Sequence, residues 1–131
     1  MLTIVEEEYP KLQEILRNCK IVDPASVKLI RAFQKQLQSA ALVSQEKAAD
    51  TLVRLYSRVD VETAFGRKVG LLIVPPEEGD MSQRKLSILN PLGLAIFGKF
   101  EKDYAVWSFP QGNEHVQIDG VKSPVILSAK N

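Results

Sequence analysis

The sequence predicts an α+β protein: an N-terminal antiparallel helical hairpin, a short coiled coil, followed by an antiparallel sheet domain with one short helix. Three observations predict this. Apolar residues recur at steps of three and four before about residue 40. From residue 53 they alternate with polar ones, the period of a strand with one wet face. Residues 87–99 then read as a strand end, a capped two-turn helix and a glycine stop.

In the first helix, Leu12, Ile15, Leu16 and Cys19 keep helical spacing. Pro10 is tolerated only in a first turn, so the helix is expected to start near Tyr9. Glu6, Glu7 and Glu8 lie where a helix N-terminus favours negative charge, and are read as helix start plus solubility. The second helix opens at Asp23-Pro24, an N-cap followed by proline at the first helical position. Val27, Ile30, Phe33, Leu37 and Ala40 form its apolar stripe, with Lys28, Arg31, Gln34, Lys35 and Gln38 on the other face. Only Lys20, Ile21 and Val22 remain for the turn, which makes the helices antiparallel neighbours. The shorter arm reaches about 15–20 Å. Residues 42–50 show no clear period and read as a linker, in which Ser44-Gln45-Glu46-Lys47 can start one more helical turn. The expected division is a hairpin at 1–43 and a sheet domain at 44–131.

In the second part, Val53, Leu55, Val59 and Val61 alternate with Arg54, Tyr56, Arg58, Asp60 and Glu62, a first strand. Residues 63–67 contain Gly66 and form a hairpin loop. The return strand, 68–74, places Val69, Leu71 and Ile73 on one face. Pro75 and Pro76 cannot donate to a ladder, so 75–80 is a loop. Short strands follow at 86–89, 104–109 and 115–121, and Pro124 precedes a possible sixth at 125–128. Short turns between successive strands imply a mainly antiparallel sheet. Its helix starts with Asn90 as N-cap and Pro91 at the first position, and Gly98 sits where a left-handed residue ends it. Leu92, Ala95 and Ile96 can then plug the helix into the sheet.

Composition narrows the function. Seventeen basic against sixteen acidic residues give no excess of positive charge for direct nucleic-acid binding. No apolar run approaches the roughly 18 residues of a membrane helix. The acidic first residues lack a signal-peptide pattern, and the single cysteine, Cys19, has no internal disulfide partner. These features predict a cytoplasmic protein without a membrane partner. No Cys/His spacing suits a metal, and neither a phosphate-binding glycine loop nor a nucleophile elbow occurs. The one histidine, His115, lies on a predicted strand and reads as a surface or hydrogen-bonded residue rather than a catalyst. No cofactor and no catalytic residue is expected.

The segment Ser87-Ile88-Leu89-Asn90-Pro91-Leu92-Gly93-Leu94-Ala95-Ile96-Phe97-Gly98-Lys99 resembles the S-P-(L/I)-G-x-A-(L/I)-(L/I)-G-K segment of the Gre-type transcription elongation factors, GreA and GreB, and of their relative Rnk, the regulator of nucleoside diphosphate kinase. Upstream, Gly79-Asp80 and Arg84-Lys85-Leu86-Ser87 resemble the loop and strand before that helix. Downstream, Lys102-Asp103 stands for the family's Gly-Asp pair. Pro110-Gln111-Gly112-Asn113 resembles its P-G-G turn, where asparagine tolerates the left-handed conformation. The likeness covers roughly the last 80 residues.

The resemblance implies an FKBP-like fold for the sheet domain and RNA polymerase as partner. It implies docking at the polymerase secondary channel through Leu89, Asn90, Pro91, Leu92 and Gly93. The same residues also shape the start of the helix, so both readings stand. In cleavage-competent relatives a long coiled-coil arm carries two acids that help hold a catalytic magnesium ion in the polymerase. Here the hairpin tip carries one acid, Asp23, which the N-cap explains, and Lys20 beside it would repel a metal. The short arm matches the Rnk pattern. The sequence therefore predicts a non-enzymatic regulator that competes with Gre factors without stimulating transcript cleavage. The alternatives are an FKBP-like peptidyl-prolyl isomerase, which needs several aromatics around an apolar pocket, and a regulator of nucleoside diphosphate kinase.

Overall fold

A computed structural model describes residues 2–109 and 112–124. The expected strand at 125–128 and the Pro110-Gln111 half of a turn lie outside the described residues. The order begins with β1 (Thr3–Val5), a 3-10 turn at Glu6–Glu8, α1 (Tyr9–Arg17), α2 (Pro24–Gln38) and β2 (Ala41–Val43). A 3-10 turn at Gln45–Lys47 leads to β3 (Arg58–Thr63), β4 (Gly66–Val74), β5 (Lys85–Ser87), α3 (Pro91–Ile96), β6 (Tyr104–Phe109) and β7 (Gly112–Lys122). The protein is thus of mixed α+β architecture, with one five-stranded sheet in the order β5-β4-β3-β7-β6.

Local signals account for the helices. Pro10 lies in the first turn of α1, and Leu12 and Ile15 are its buried residues. Asp23 caps α2 by accepting from the Ser26 N–H at 2.9 Å, and Ile30, Phe33 and Leu37 are buried at steps of three and four. The Tyr9 hydroxyl donates to the Leu37 carbonyl at 3.4 Å, which brings the start of α1 to the end of α2. Phe33 meets Phe97 edge-on, with centroids 6.0 Å apart. Through that contact the helices and the sheet share one hydrophobic cluster.

The expected strand over 53–62 begins only at Arg58. Before it the chain makes a tight turn. The Ser57 hydroxyl accepts the Arg54 N–H at 3.0 Å and donates to the Leu52 carbonyl at 3.3 Å. Tyr56 takes a left-handed φ of 67°. Leu52, Val53, Arg54 and Leu55 are consequently all buried, where alternation would have left Arg54 wet. The return strand departs in a similar way. Val59 pairs with Leu71 but Val61 pairs with Lys68, so β4 carries one extra residue. Gly70 sits in that bulge at φ 71°, its N–H donating to Asp60 Oδ1 at 2.8 Å. The insertion turns Val69 outward while Leu71 and Ile73 stay buried.

Two pairings have no counterpart in the expected layout. Residues 41–43, where the expected hairpin passes into the expected linker, form β2, parallel to β1. In addition, β5 runs parallel to β4, while the other pairs of the large sheet are antiparallel. Pro75 and Pro76 break the ladder and two 3-10 turns carry the chain back. Arg84 ends the second of them at a left-handed φ of 59°. The third strand stops at Ser87, two residues short of expectation, because residues 88–90 already turn into α3.

Candidate interaction surface

The start of α3 is built by hydrogen bonds within a few residues. Ser87 Oγ accepts the Leu89 N–H at 3.1 Å, and the Ser87 carbonyl accepts the Asn90 N–H at 3.0 Å. Asn90 Oδ1 accepts the Leu92 N–H at 2.9 Å, the N-cap bond. Pro91 occupies the first helical position. Gly93 is buried against the preceding strand. A Cβ there would fall inside contact distance of the Ser87 carbonyl oxygen and lie 3.1 Å from Ile88 Cα. Gly98 closes the element at φ 79°.

This geometry divides the five residues assigned to partner binding. Leu89, Leu92 and Gly93 are buried, whereas Asn90 and Pro91 are half-exposed. Two grooves flank them. One, of about 550 Å³, lies between the end of α1 and the 75–89 segment, and Ile15, Cys19, Pro76 and Leu89 line it. The other, of about 430 Å³, runs between α2 and β6 across α3, with Pro91, Leu94 and Ala95 in it. His115 is exposed on β7 beside that groove.

At the tip between α1 and α2, Lys20 and Asp23 are both exposed, and Val22 is 85% exposed. The cap bond from Ser26 holds the Asp23 carboxyl below its ordinary value. Among the described residues no three His, Cys, Asp or Glu side chains are grouped to hold a metal ion. Among the described residues the aromatic side chains do not converge on one pocket. Phe33 and Phe97 are core, Phe65 meets Trp107 edge-on at 6.0 Å, and Tyr56 donates to Glu78 Oε2 at 2.5 Å. That carboxylate, with partial burial, pushes the Tyr56 hydroxyl up to about 12.

One polar cluster escaped the sequence reading. Glu8 Oε2 accepts from Arg54 Nε at 2.7 Å and pairs with Nη2 at 2.5 Å, while Oε1 accepts the Leu55 N–H at 3.2 Å. Arg54 Nη2 also reaches Gln45 Oε1 at 3.2 Å, and the Gln45 N–H donates to Glu7 Oε1 at 2.9 Å. Burial pushes the Glu8 carboxyl above its ordinary value, against the pull of the Arg54 guanidinium. The cluster ties the N-terminal segment to the sheet. Its partners lie 46 residues apart, and neither the glutamate run nor the alternating run that holds Arg54 announces it.

The comparisons with known proteins agree with the motif. The pattern of the family described as "Transcription elongation factor, GreA/GreB, C-term" matches residues 47–123. GreB of Neisseria meningitidis is 31% identical over 94 residues, 71% of this chain and 58% of that protein. GreA of Ralstonia nicotianae is 32% identical over 75 residues, 56% of this chain and 48% of that protein. The chain spans about half the length of these curated relatives. A solved structure of a prokaryotic GreA/GreB transcription elongation factor from Nitrosomonas europaea superimposes with a TM-score of 0.72 at 26% identity. It covers 93% of this chain and 98% of that one. This chain therefore belongs to the GreA/GreB family of transcription elongation factors, through the C-terminal domain of that family.

Proposed function

We propose that this protein binds bacterial RNA polymerase at the secondary channel and competes there with Gre-type factors without stimulating transcript cleavage. In this reading residues 1–43 are a short helical hairpin, residues 44–131 are an FKBP-like docking domain, and the protein acts in the cytoplasm as a Rnk-like member of its family. Asn90 and Pro91 are the surface residues of the docking segment, and Leu89, Leu92 and Gly93 hold its shape.

The observation that carries the reading is the occupation of Asp23. It is the one acid between residues 18 and 24, and its carboxylate already accepts the Ser26 N–H. Metal-assisted hydrolysis needs carboxylates within coordination reach of the ion. One carboxylate held by its own helix, three positions after Lys20, does not fit that task, so no cleavage step is derived through it. Family membership supports polymerase as the partner.

The test is a backtracked polymerase complex with a labelled transcript. Added alone, the protein is expected to leave the transcript intact. Added in excess over a GreB factor, it is expected to suppress GreB-stimulated cleavage. Robust cleavage by the protein itself, lost in Asp23→Asn, would overturn the reading.

A further inference from the structure

Two irregularities meet at the end of the sheet opposite β6. β5 pairs with β4 only from Leu72 to Val74, so among the described residues no strand covers the edge of β4 before Leu72. On that edge the bulge turns Val69 outward. Arg84, at its left-handed φ of 59°, brings its side chain back to the same place, and its Nη1 donates to the Val69 carbonyl at 3.0 Å. A recess of about 320 Å³ opens beside them.

Its charged lining is all of one sign. Arg67, Lys68 and Arg84 line it, and among the described residues no carboxylate does. The nearby acids are engaged elsewhere. Asp60 accepts the Gly70 N–H at 2.8 Å, and Asp80 accepts both the N–H and the hydroxyl of Ser82. Asp119 reaches Arg67 only at 3.8 Å, in a solvated pair of little weight. Lys68 is half-buried and forms no salt bridge among the described residues. Arg84 uses one of its five donors on the Val69 carbonyl. The remaining lining is apolar: Leu71 is buried, while Val69 and Met81 are 46% and 50% exposed.

Capping an edge carbonyl explains one bond of Arg84. It does not explain three cations gathered on one concavity, one of them half-buried, beside exposed apolar side chains. That lining suits an anion with an apolar, planar body. Guanidinium groups match phosphate oxygens bidentately, and a thioether packs well against a ring. Three cations balance a charge of about −3, which a terminal phosphate monoester and one inner phosphate carry together. The volume lies at the lower end of small-ligand pockets, about 300–1,000 Å³, and admits one nucleotide. We infer that this recess binds a nucleoside diphosphate, with its phosphates on Arg67, Lys68 and Arg84 and its base against Val69 and Met81. No residue of this recess belongs to the 89–93 segment or lines either groove beside it, so the inference does not depend on polymerase docking.

The test is calorimetric titration of the full chain with ADP, GDP and inorganic pyrophosphate at about 0.1 M salt, without polymerase. The variants are Lys68→Gln, Arg84→Gln and Met81→Ser, each checked for parental thermal unfolding. At least one of the two diphosphates is expected to bind with a Kd below about 1 mM. Lys68→Gln and Arg84→Gln are each expected to weaken that binding about tenfold, as the loss of a charge-assisted hydrogen bond should. Met81→Ser is expected to weaken it about threefold and to leave pyrophosphate binding unchanged, since it touches only the base. Arg84 also caps the Val69 carbonyl. Should Arg84→Gln unfold early, Lys68→Gln decides the matter, because no hydrogen bond or ion pair of the Lys68 side chain occurs among the described residues. Three results would each overturn the inference: no binding of either diphosphate, binding that Lys68→Gln leaves unchanged, or pyrophosphate bound as tightly as the nucleotides with Met81→Ser silent. A single-stranded RNA oligonucleotide that binds more tightly than either diphosphate through Lys68 and Arg84 would overturn it too, as the mark of a strand-binding face.

Discussion

Replacing Arg54 by alanine should be among the most damaging single changes in this chain. The Arg54 side chain is 7% exposed and its partner Glu8 14%. The substitution removes two guanidinium contacts to Glu8 Oε2 and the contact to Gln45. It leaves a carboxylate in a site that already resists the charge. Breaking one partner of a buried pair costs about 3–5 kcal/mol. The residual exposure of Glu8 lets water reach it, which favours the lower end, about 3 kcal/mol. With an unfolding entropy of about 2.1 cal/mol/K per residue, a chain of 131 residues should then lose about 11 °C in Tm. The assay is urea unfolding at pH 7 with circular dichroism, beside a thermal scan. The double change Arg54→Met/Glu8→Gln removes both charges while keeping much of the volume, and should recover most of the loss. A loss below about 1 kcal/mol in Arg54→Ala would refute the reasoning, because the pair would then behave as an exposed one.

Three further outcomes follow from the same geometry. Burial raises the Glu8 carboxyl above its ordinary 4.5, so the native state binds that proton more tightly than the unfolded chain. The stability this adds is complete below about 4.5 and is lost as pH rises through the folded value. The parent should therefore gain on Glu8→Gln as pH falls from 7 to 4.5 in parallel urea titrations, and a gap moving the other way would contradict it. Gly93→Ala forces a methyl group against the Ser87 carbonyl and Ile88, both backbone. It should cost more than about 3 kcal/mol or abolish soluble expression, and a parental Tm would show that the strand end yields. Pro91→Ser keeps a tolerable first-turn residue. It should leave the Tm within about 2 °C, from a change of about 0.5 kcal/mol, and weaken binding to RNA polymerase. Equal binding in a competition assay would reduce residues 89–93 to scaffold.

The parts of this protein legible in its sequence are those whose partners lie a few positions apart. Asp23 reaches Ser26 three residues on, and Asn90 reaches Leu92 two residues on. These bonds start α2 and α3 where the residue types say they should. Ile30, Phe33 and Leu37 declare their buried face through helical period alone. The family motif at 87–99 could be read for the same reason, since its shape is local. Gly70 is a local signal as well: a lone glycine in a strand pattern often marks a bulge, and this one turns Val69 outward.

Other features depend on residues that meet only after the chain has folded. The strands β1 and β2 have three residues each, too few to show a period, and they pair across the whole of both helices. Glu8 and Arg54 are ordinary charged residues until burial and 46 positions of intervening chain bring them to 2.5 Å. The parallel course of β5 follows from how residues 75–84 cross back, and the groove above α3 from where α2 and β6 come to rest. Periodicity says which face of an element avoids water. By itself the sequence therefore determined the capped helices, the alternating strands and the family motif. Only the tertiary structure decided which of residues 89–93 reach the surface, because packing against β5 and the core buries Leu89, Leu92 and Gly93 and leaves Asn90 and Pro91 partly exposed.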